Sequence, residues 1–298
     1  MGRSRPLPKQ TDVCYCRIYA LDWLKAHAYA RDRAESKAPQ SDVLSISIDA
    51  TGLSLDQQIA RAMQLLDERG AAIVRRAQSD DADPAAQTEA IVAAFSACGL
   101  RVIETHFGRI EDLRPDNSTN KNTDQLGYTD AAIDLHTDQP FLDDPPRLQV
   151  LQSIRPADVG GDNYLVDAFA AARYLESLER RDAEILRSVP VRFDRRQRDF
   201  QRVVEAPILS ERATGPIVRY SYFTMAPHRL PFAEMEAFYR AYDRFARIVR
   251  DPRHQYRFSL RAGDFLVYDN HRMLHARTAL TGAHSAGGRW VRGIYFDS

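Results

Sequence analysis

The segment Asp134-Leu135-His136-Thr137-Asp138 holds the only His-x-Asp among the eight histidines of the chain. In an extended strand, residues two apart project from one face, so an imidazole and a carboxylate would converge on a single point. One more histidine would complete a two-histidine, one-carboxylate set. That is the facial arrangement that holds non-haem iron(II) and leaves three coordination positions open. His271 and His275, in one short segment, compete for the place. Zinc could use the same donors for hydrolysis, so the donor set alone leaves the chemistry open. His27, His106, His228, His254 and His284 read as surface or hydrogen-bonded core positions, with His106 nearest the expected pocket loop.

Ligands two residues apart need a strand to carry them, and the surrounding pattern supplies many. Residues 43–48, 72–74, 147–154, 164–166, 189–193, 217–222, 265–268 and 290–296 read as short strands. Helices are expected at 55–69, stopped by Gly70, and at 85–98, 169–187 and 232–250. The last carries Phe232, Met235, Phe238, Tyr239, Tyr242, Phe245 and Ile248 at helical spacing, which reads as core packing. Many short strands, few of them separated by helices, predict a mainly β body with flanking helices, a sandwich or jelly roll rather than a doubly wound parallel sheet. Residues 1–42 read as an N-terminal helical extension, with a helix over about 15–35 and a linker over 36–41, leaving 43–298 as the catalytic domain.

The chain has 298 residues, 44% hydrophobic and 28% charged, and no apolar run near the roughly 18 residues that a membrane span needs. Its 41 basic residues balance 41 acidic ones, so no overall field draws it to nucleic acid or an anionic membrane. The densest basic stretch, Arg192, Arg195, Arg196, Arg198 and Arg202, is interrupted by Asp194 and Asp199 and reads as solvated surface. Three cysteines, Cys14, Cys16 and Cys98, are too few and too odd for a secreted disulfide framework, and the N-terminus lacks a signal-peptide pattern. A cytoplasmic location is therefore expected. Cys14 and Cys16 could offer two zinc ligands, but no second cysteine pair follows. The expected partner is a small molecule, with neither nucleic acid nor membrane, and the sequence is compatible with a homodimer.

Longer motifs narrow the chemistry. Leu126-Gly127-Tyr128-Thr129, His136-Thr137-Asp138-Gln139-Pro140-Phe141, Pro145-Pro146, Gln149 and the run from Gly160-Gly161-Asp162-Asn163 to Phe169 come first. They are followed by Gly263-Asp264-Phe265 through Asn270-His271 to His275-Ala276-Arg277, and by Arg289-Trp290-Val291-Arg292-Gly293-Ile294-Tyr295. Together, over about residues 70–298, they resemble the taurine dioxygenase superfamily, and within it the branch containing γ-butyrobetaine hydroxylase and trimethyllysine hydroxylase.

The resemblance implies a cupin-like double-stranded β-helix and a dioxygenase using Fe(II), 2-oxoglutarate and O2, with succinate and CO2 released. It favours His275 over His271 as the third metal ligand and gives Arg289 the 2-oxoglutarate carboxylate, which a planar guanidinium grips with two parallel hydrogen bonds. Where relatives often place a threonine beside that carboxylate, this chain has Asn163, whose amide can still donate. Tyr128, Tyr295 and Phe107 fall at positions of an aromatic cage for a trimethylammonium group. Glu111 falls at a cage tryptophan, and Ser221 at a carboxylate-contacting asparagine. These two departures point from γ-butyrobetaine toward an amine-bearing or amino-acid-like substrate able to donate hydrogen bonds. Asp138 itself speaks for hydroxylation, with desaturation still open. A small zinc-binding domain that begins γ-butyrobetaine hydroxylase has no evident match. A zinc hydrolase and a non-catalytic jelly-roll binding protein are the competing readings.

Overall fold

The computed structural model describes residues 42–76, 83–115, 125–213, 215–227, 229–281 and 288–297. The expected helix at 15–35, Cys14, Cys16, His27, His228 and His284 lie outside the described residues. In chain order the elements begin with β1 (Ser47–Asp49), α1 (Leu55–Arg69), β2 (Ala71–Arg75), α2 (Pro84–Ala97), β3 (Arg101–Ile103) and β4 (Glu111–Leu113). Next come β5 (Ile133–His136), β6 (Leu148–Arg155), β7 (Val159–Gly160), β8 (Asn163–Asp167), α3 (Ala168–Leu178) and α4 (Arg180–Ser188). Two hairpins follow, β9 (Val191–Gln197) with β10 (Phe200–Ala206), and β11 (Leu209–Arg212) with β12 (Gly215–Val218). The chain continues through α5 (Phe232–Arg250), β13 (Tyr256–Phe258), β14 (Phe265–Asp269), β15 (Met273–Arg277), β16 (Leu280–Thr281) and β17 (Trp290–Asp297).

A major sheet of seven strands runs β1-β2-β14-β6-β17-β3 with β4 also on β17, and a minor sheet of four runs β13-β8-β15-β5. Apart from the parallel β1/β2 pair, the pairings in both sheets are antiparallel. The fold is a double-stranded β-helix of jelly-roll type with helices on its outer faces.

Strand alternation decides what faces the space between the sheets. On the major sheet Val150, Phe265, Val267, Ile294 and Phe296 pack outward with α1 and α2, whereas Leu151, Leu266, Tyr268 and Val291 belong to a cluster shared with the minor sheet. On the minor sheet Leu135, Val166, Leu274 and Ala276 pack outward with α3, α4 and α5, while Leu165 and Met273 join the inner cluster. His136 follows Leu135, and His275 lies between Leu274 and Ala276, so the same alternation turns both imidazoles inward.

Local chemistry explains where elements begin and end. Ser54 and Gln57 form a reciprocal capping box at the start of α1, and Gly70 ends the helix with φ 80°. A Cβ on Gly70 would also stand 2.9 Å from Arg272 Cδ and Met273 Sδ, so those side chains would have to shift to admit one. The strand expected over 43–48 is instead a 3-10 turn, Val43–Ile46, capped by Asp42, with β1 starting only at Ser47. The helix expected over 169–187 is two helices, because Glu179 leaves the helical region at φ −151°, ψ 88°. The strand expected over 217–222 stops at Val218, beyond which Tyr220 pairs its backbone with Thr137 rather than with a sheet neighbour.

Candidate active site

β5 ends at His136, and Thr137 and Asp138 continue it as a strap tied on both sides. The Thr137 N–H donates to the Tyr220 carbonyl at 2.8 Å, and its hydroxyl accepts from the Tyr220 N–H at 3.0 Å. Asn270 clamps the next residue: its Oδ1 accepts from the Asp138 N–H at 2.7 Å, and its Nδ2 donates to the carbonyls of Asp138 at 3.1 Å and Pro146 at 3.0 Å. β15 brings His275 into register opposite His136. Donor atoms of His136, Asp138 and His275 lie within 4.8 Å of one another. Nε2 of His136 is 3.4 Å and Nε2 of His275 is 3.8 Å from Asp138 Oδ1.

The electrostatics suit a cation at that point. The His136 Nδ1–H donates to the Asp134 carbonyl at 2.8 Å, which leaves the Nε2 lone pair for a metal. Burial, with His136 beside it, pushes the His275 imidazole down to about 3, so it is neutral at working pH. Burial acts upward on Asp138, but His275, His136 and the Tyr295 hydroxyl together hold its carboxyl well below the usual range. That hydroxyl donates to Asp138 Oδ2 at 2.7 Å and orients the carboxylate. Tyr268 packs against His275 with ring centroids 4.9 Å apart, and Phe223 against His136 at 5.2 Å. His271 is turned away, its Nε2 held 2.8 Å from the Pro145 carbonyl.

The triad opens onto one pocket, whose wall also carries Phe107, Glu111, Asn163, Arg289 and Tyr295. Arg289 is 7% exposed and has no carboxylate partner among the described residues. Its burial, with Arg277 nearby, lowers it to about 9, the response of a guanidinium lacking its anion. Arg277 lines the pocket too, but donates to the carbonyls of Thr129 at 2.8 Å and Ala131 at 2.6 Å. Arg292 is committed elsewhere, to Asp112 and Thr88. The donor set fits a first-row metal ion, and the unmatched buried guanidinium fits a dicarboxylate held beside it.

The remaining residues expected at the site are placed unevenly. Glu111 on β4 is 3% exposed, and burial pushes its carboxyl up to about 8, with Asp138 adding to the rise and the hydrogen bond from Tyr128 opposing it. That bond, Tyr128 hydroxyl to Glu111 Oε1, is 2.9 Å, and it sets Tyr128 behind the carboxylate rather than in the pocket wall. Phe107 meets Tyr128 edge to face at 6.4 Å. Ser221 does not reach the pocket: it is 1% exposed, and from its segment Phe223 takes the place in the wall. Asn270, Gln139 and Arg195 are among the polar residues whose part in the site the sequence did not single out, as are Gln125, Gln149 and Arg277 in the pocket wall. Asn270 is a long-range clamp, and Gln139 and Arg195 line the pocket.

This fold and donor set define a non-haem iron oxygenase of the jelly-roll class. The chain belongs to the taurine catabolism dioxygenase TauD, TfdA family, whose model matches residues 33–295. It is thereby an iron- and 2-oxoglutarate-dependent dioxygenase. It is 29% identical over 306 residues to the gamma-butyrobetaine dioxygenase of Pseudomonas sp. (strain AK-1), covering 100% of this chain and 77% of that protein. It is 30% identical over 195 residues to the trimethyllysine dioxygenase of Meyerozyma guilliermondii, covering 63% of this chain and 48% of that one. The fold is shared with the non-heme iron oxygenase OrfP in complex with Fe, succinate and (3S)-hydroxy-L-Arg, at a TM-score of 0.62 and 19% identity, covering 83% of this chain and 81% of that one. It is shared also with an asparagine oxygenase, at a TM-score of 0.59 and 17% identity, covering 81% and 78%.

Proposed function

We propose that the chain hydroxylates, or desaturates, a small amine-bearing or amino-acid-like molecule, with 2-oxoglutarate as co-substrate. The observation that carries this reading is the shared pocket in which the His136, Asp138 and His275 donors, the unmatched Arg289 and the buried Glu111 all meet. Iron and 2-oxoglutarate together supply the oxidising chemistry, with O2 consumed and succinate and CO2 released.

Each residue then has a task set by its surroundings. His136, Asp138 and His275 hold the metal, Tyr295 and Asn270 fix the angle of Asp138, and Arg289 takes the far carboxylate of the co-substrate with Asn163 beside it. Leu113, Ile133, Phe141, Leu151 and Phe223 close the pocket against water, which strengthens every charge interaction inside. Glu111, backed by Tyr128, receives a cationic N–H donor of the substrate. A cation at that point relieves the cost of ionising a buried carboxylate, and the rings of Phe107 and Tyr295 complete the wall. The reading places the enzyme in the cytoplasm without nucleic-acid or membrane partners. The balance of 41 basic and 41 acidic residues, which leaves no overall field toward a polyanion, supports the part concerning partners. No helix among the described residues is long and apolar enough to cross a membrane.

The test is substrate-stimulated succinate formation. A small amino-acid-like or amine-bearing molecule should stimulate it more than γ-butyrobetaine or trimethyllysine. Tyr128→Ala should weaken that response while leaving iron binding intact. Vigorous turnover of γ-butyrobetaine, or a preference for neutral or anionic molecules that Tyr128→Ala leaves untouched, would contradict the substrate class.

A further inference from the structure

β9 carries a basic run to two different destinations. Val191 and Phe193 are fully buried in the core beneath the minor sheet. On the alternate positions Arg192 and Arg196 donate to Asp194, at 3.2 and 3.0 Å, and form an ion-pair row on the hairpin's other face. Alternation with a period of two gives Arg195 the face of Val191 and Phe193 rather than that of its basic neighbours. Arg195 accordingly lines the pocket that holds the triad. The basic run is thus only partly the solvated surface expected of it, because an apolar strand face carries one of its guanidinium groups inward.

A second polar residue enters the same pocket directly after the metal-ligand motif. Gln139 is 6% exposed, lines the pocket, and has neither its amide nitrogen nor its amide oxygen in a hydrogen bond. It is also the one non-glycine with positive φ among the described residues, at 53°, held in a turn by the Leu142 N–H at 3.1 Å. A buried amide without partners and a left-handed backbone both cost stability, and such features persist where a ligand uses them. The two residues come from the β9 hairpin and from the segment after β5, whereas Glu111 comes from β4, paired with β17 of the major sheet.

We propose that Arg195 and Gln139 form the carboxylate-binding end of the substrate site, so that the substrate is a small zwitterion with its amine at Glu111 and its carboxylate at Arg195. This rests on the oxygenase reading and narrows it. A guanidinium fork matches a carboxylate, and the Gln139 amide can donate to it while accepting from a neighbouring N–H. A bare amine leaves the buried Gln139 amide unpartnered, and a bare carboxylic acid sets its charge against Glu111. Arg289 stays with the co-substrate, so the two guanidinium groups serve different carboxylates.

Matched pairs that differ only by a carboxyl group test this: L-lysine against 1,5-diaminopentane, L-ornithine against 1,4-diaminobutane, and L-arginine against agmatine. Succinate formation by the iron-loaded enzyme should be stimulated at least tenfold more by the amino acid than by its decarboxylated partner in one pair or more. Arg195→Gln and Gln139→Leu should each raise KM for that amino acid tenfold or more. Neither should shift half-saturation by 2-oxoglutarate more than twofold in an anaerobic titration of the iron chelate. Gln139→Leu should melt no lower than the parent, since it removes an unpartnered buried amide, and Gln139→Asn should recover part of the affinity. The proposal is overturned if the decarboxylated amines stimulate equally or better, if no amino acid stimulates, or if the variants keep their KM. It is overturned equally if Arg195→Gln shifts the 2-oxoglutarate titration. Failure of the parent to form the chelate would instead overturn the oxygenase reading itself.

Discussion

Asp138 is surrounded by groups that the chain itself supplies: two imidazoles, the Tyr295 hydroxyl and the Asn270 clamp all act on one carboxylate. Across the same pocket Arg289 is buried without a carboxylate among the described residues, and Glu111 is buried against the negative charge of Asp138 with only Tyr128 and Gln125 to support it. The metal-binding wall is therefore assembled by internal hydrogen bonds, while the ligand-binding wall is left electrostatically unfinished. A preformed cradle holds an ion at fixed angles, and unmatched buried charges select the molecules that complete them.

The contrast can be broken at the triad first. His136→Ala, Asp138→Ala and His275→Ala should each abolish turnover, read as succinate formation, with the far-UV circular dichroism retained. His271→Ala should be mild, because its ring bonds Pro145 away from the pocket. Full activity in His275→Ala would show that the wrong histidine has been assigned.

On the unfinished wall, Arg289→Ala should raise the 2-oxoglutarate requirement by well over tenfold. Truncating one partner of a buried charged pair costs about 2–5 kcal/mol. A titration of succinate formation against 2-oxoglutarate checks this, and an unchanged midpoint would move the anchor role elsewhere.

Asn270→Ala leaves every proposed ligand in place but frees the Asp138 backbone. Loss of such an outer support lowers metal affinity by roughly 10- to 100-fold. Competition with a chelator of known affinity measures this, and affinity equal to the parent's would show that the clamp is incidental.

The smallest effect concerns Glu111. Its folded-state carboxyl lies at about 8, above the ordinary 4.5, so the folded state holds a proton that the unfolded state has released. The burial cost is absent below about 4.5, grows as pH rises, and is complete above about 8. Metal-free Glu111→Gln should therefore gain more than about 1 kcal/mol over the parent at pH 8, and nothing at pH 4.5. Parallel plots of melting temperature against pH for the two proteins would contradict it.

The division between the two walls also explains what the sequence disclosed. His136, Asp138 and Leu135 are neighbours, so period-two alternation alone turned the imidazole and carboxylate inward. The resemblance, not the spacing, separated His275 from His271. The end of α1 at Gly70 and the span of α5 were legible because a stop residue and a long apolar stripe are local signals. Asn270 was not, since its partners at Asp138 and Pro146 are more than a hundred residues away. The inward turn of Arg195 had a local sign, the alternation Val191-x-Phe193-x-Arg195, hidden among arginines that do face outward. Ser221 was misplaced because the strand expected to carry it ends at Val218, so its orientation does not follow from alternation.

Anaerobic addition of iron(II) and then 2-oxoglutarate to the purified, metal-free protein measures the central claim directly. A weak visible charge-transfer band should appear only when both are present, vanish in Asp138→Ala, and need far more 2-oxoglutarate in Arg289→Ala. A protein that binds iron yet stays colourless at saturating 2-oxoglutarate, or whose band survives Asp138→Ala unchanged, would contradict the account.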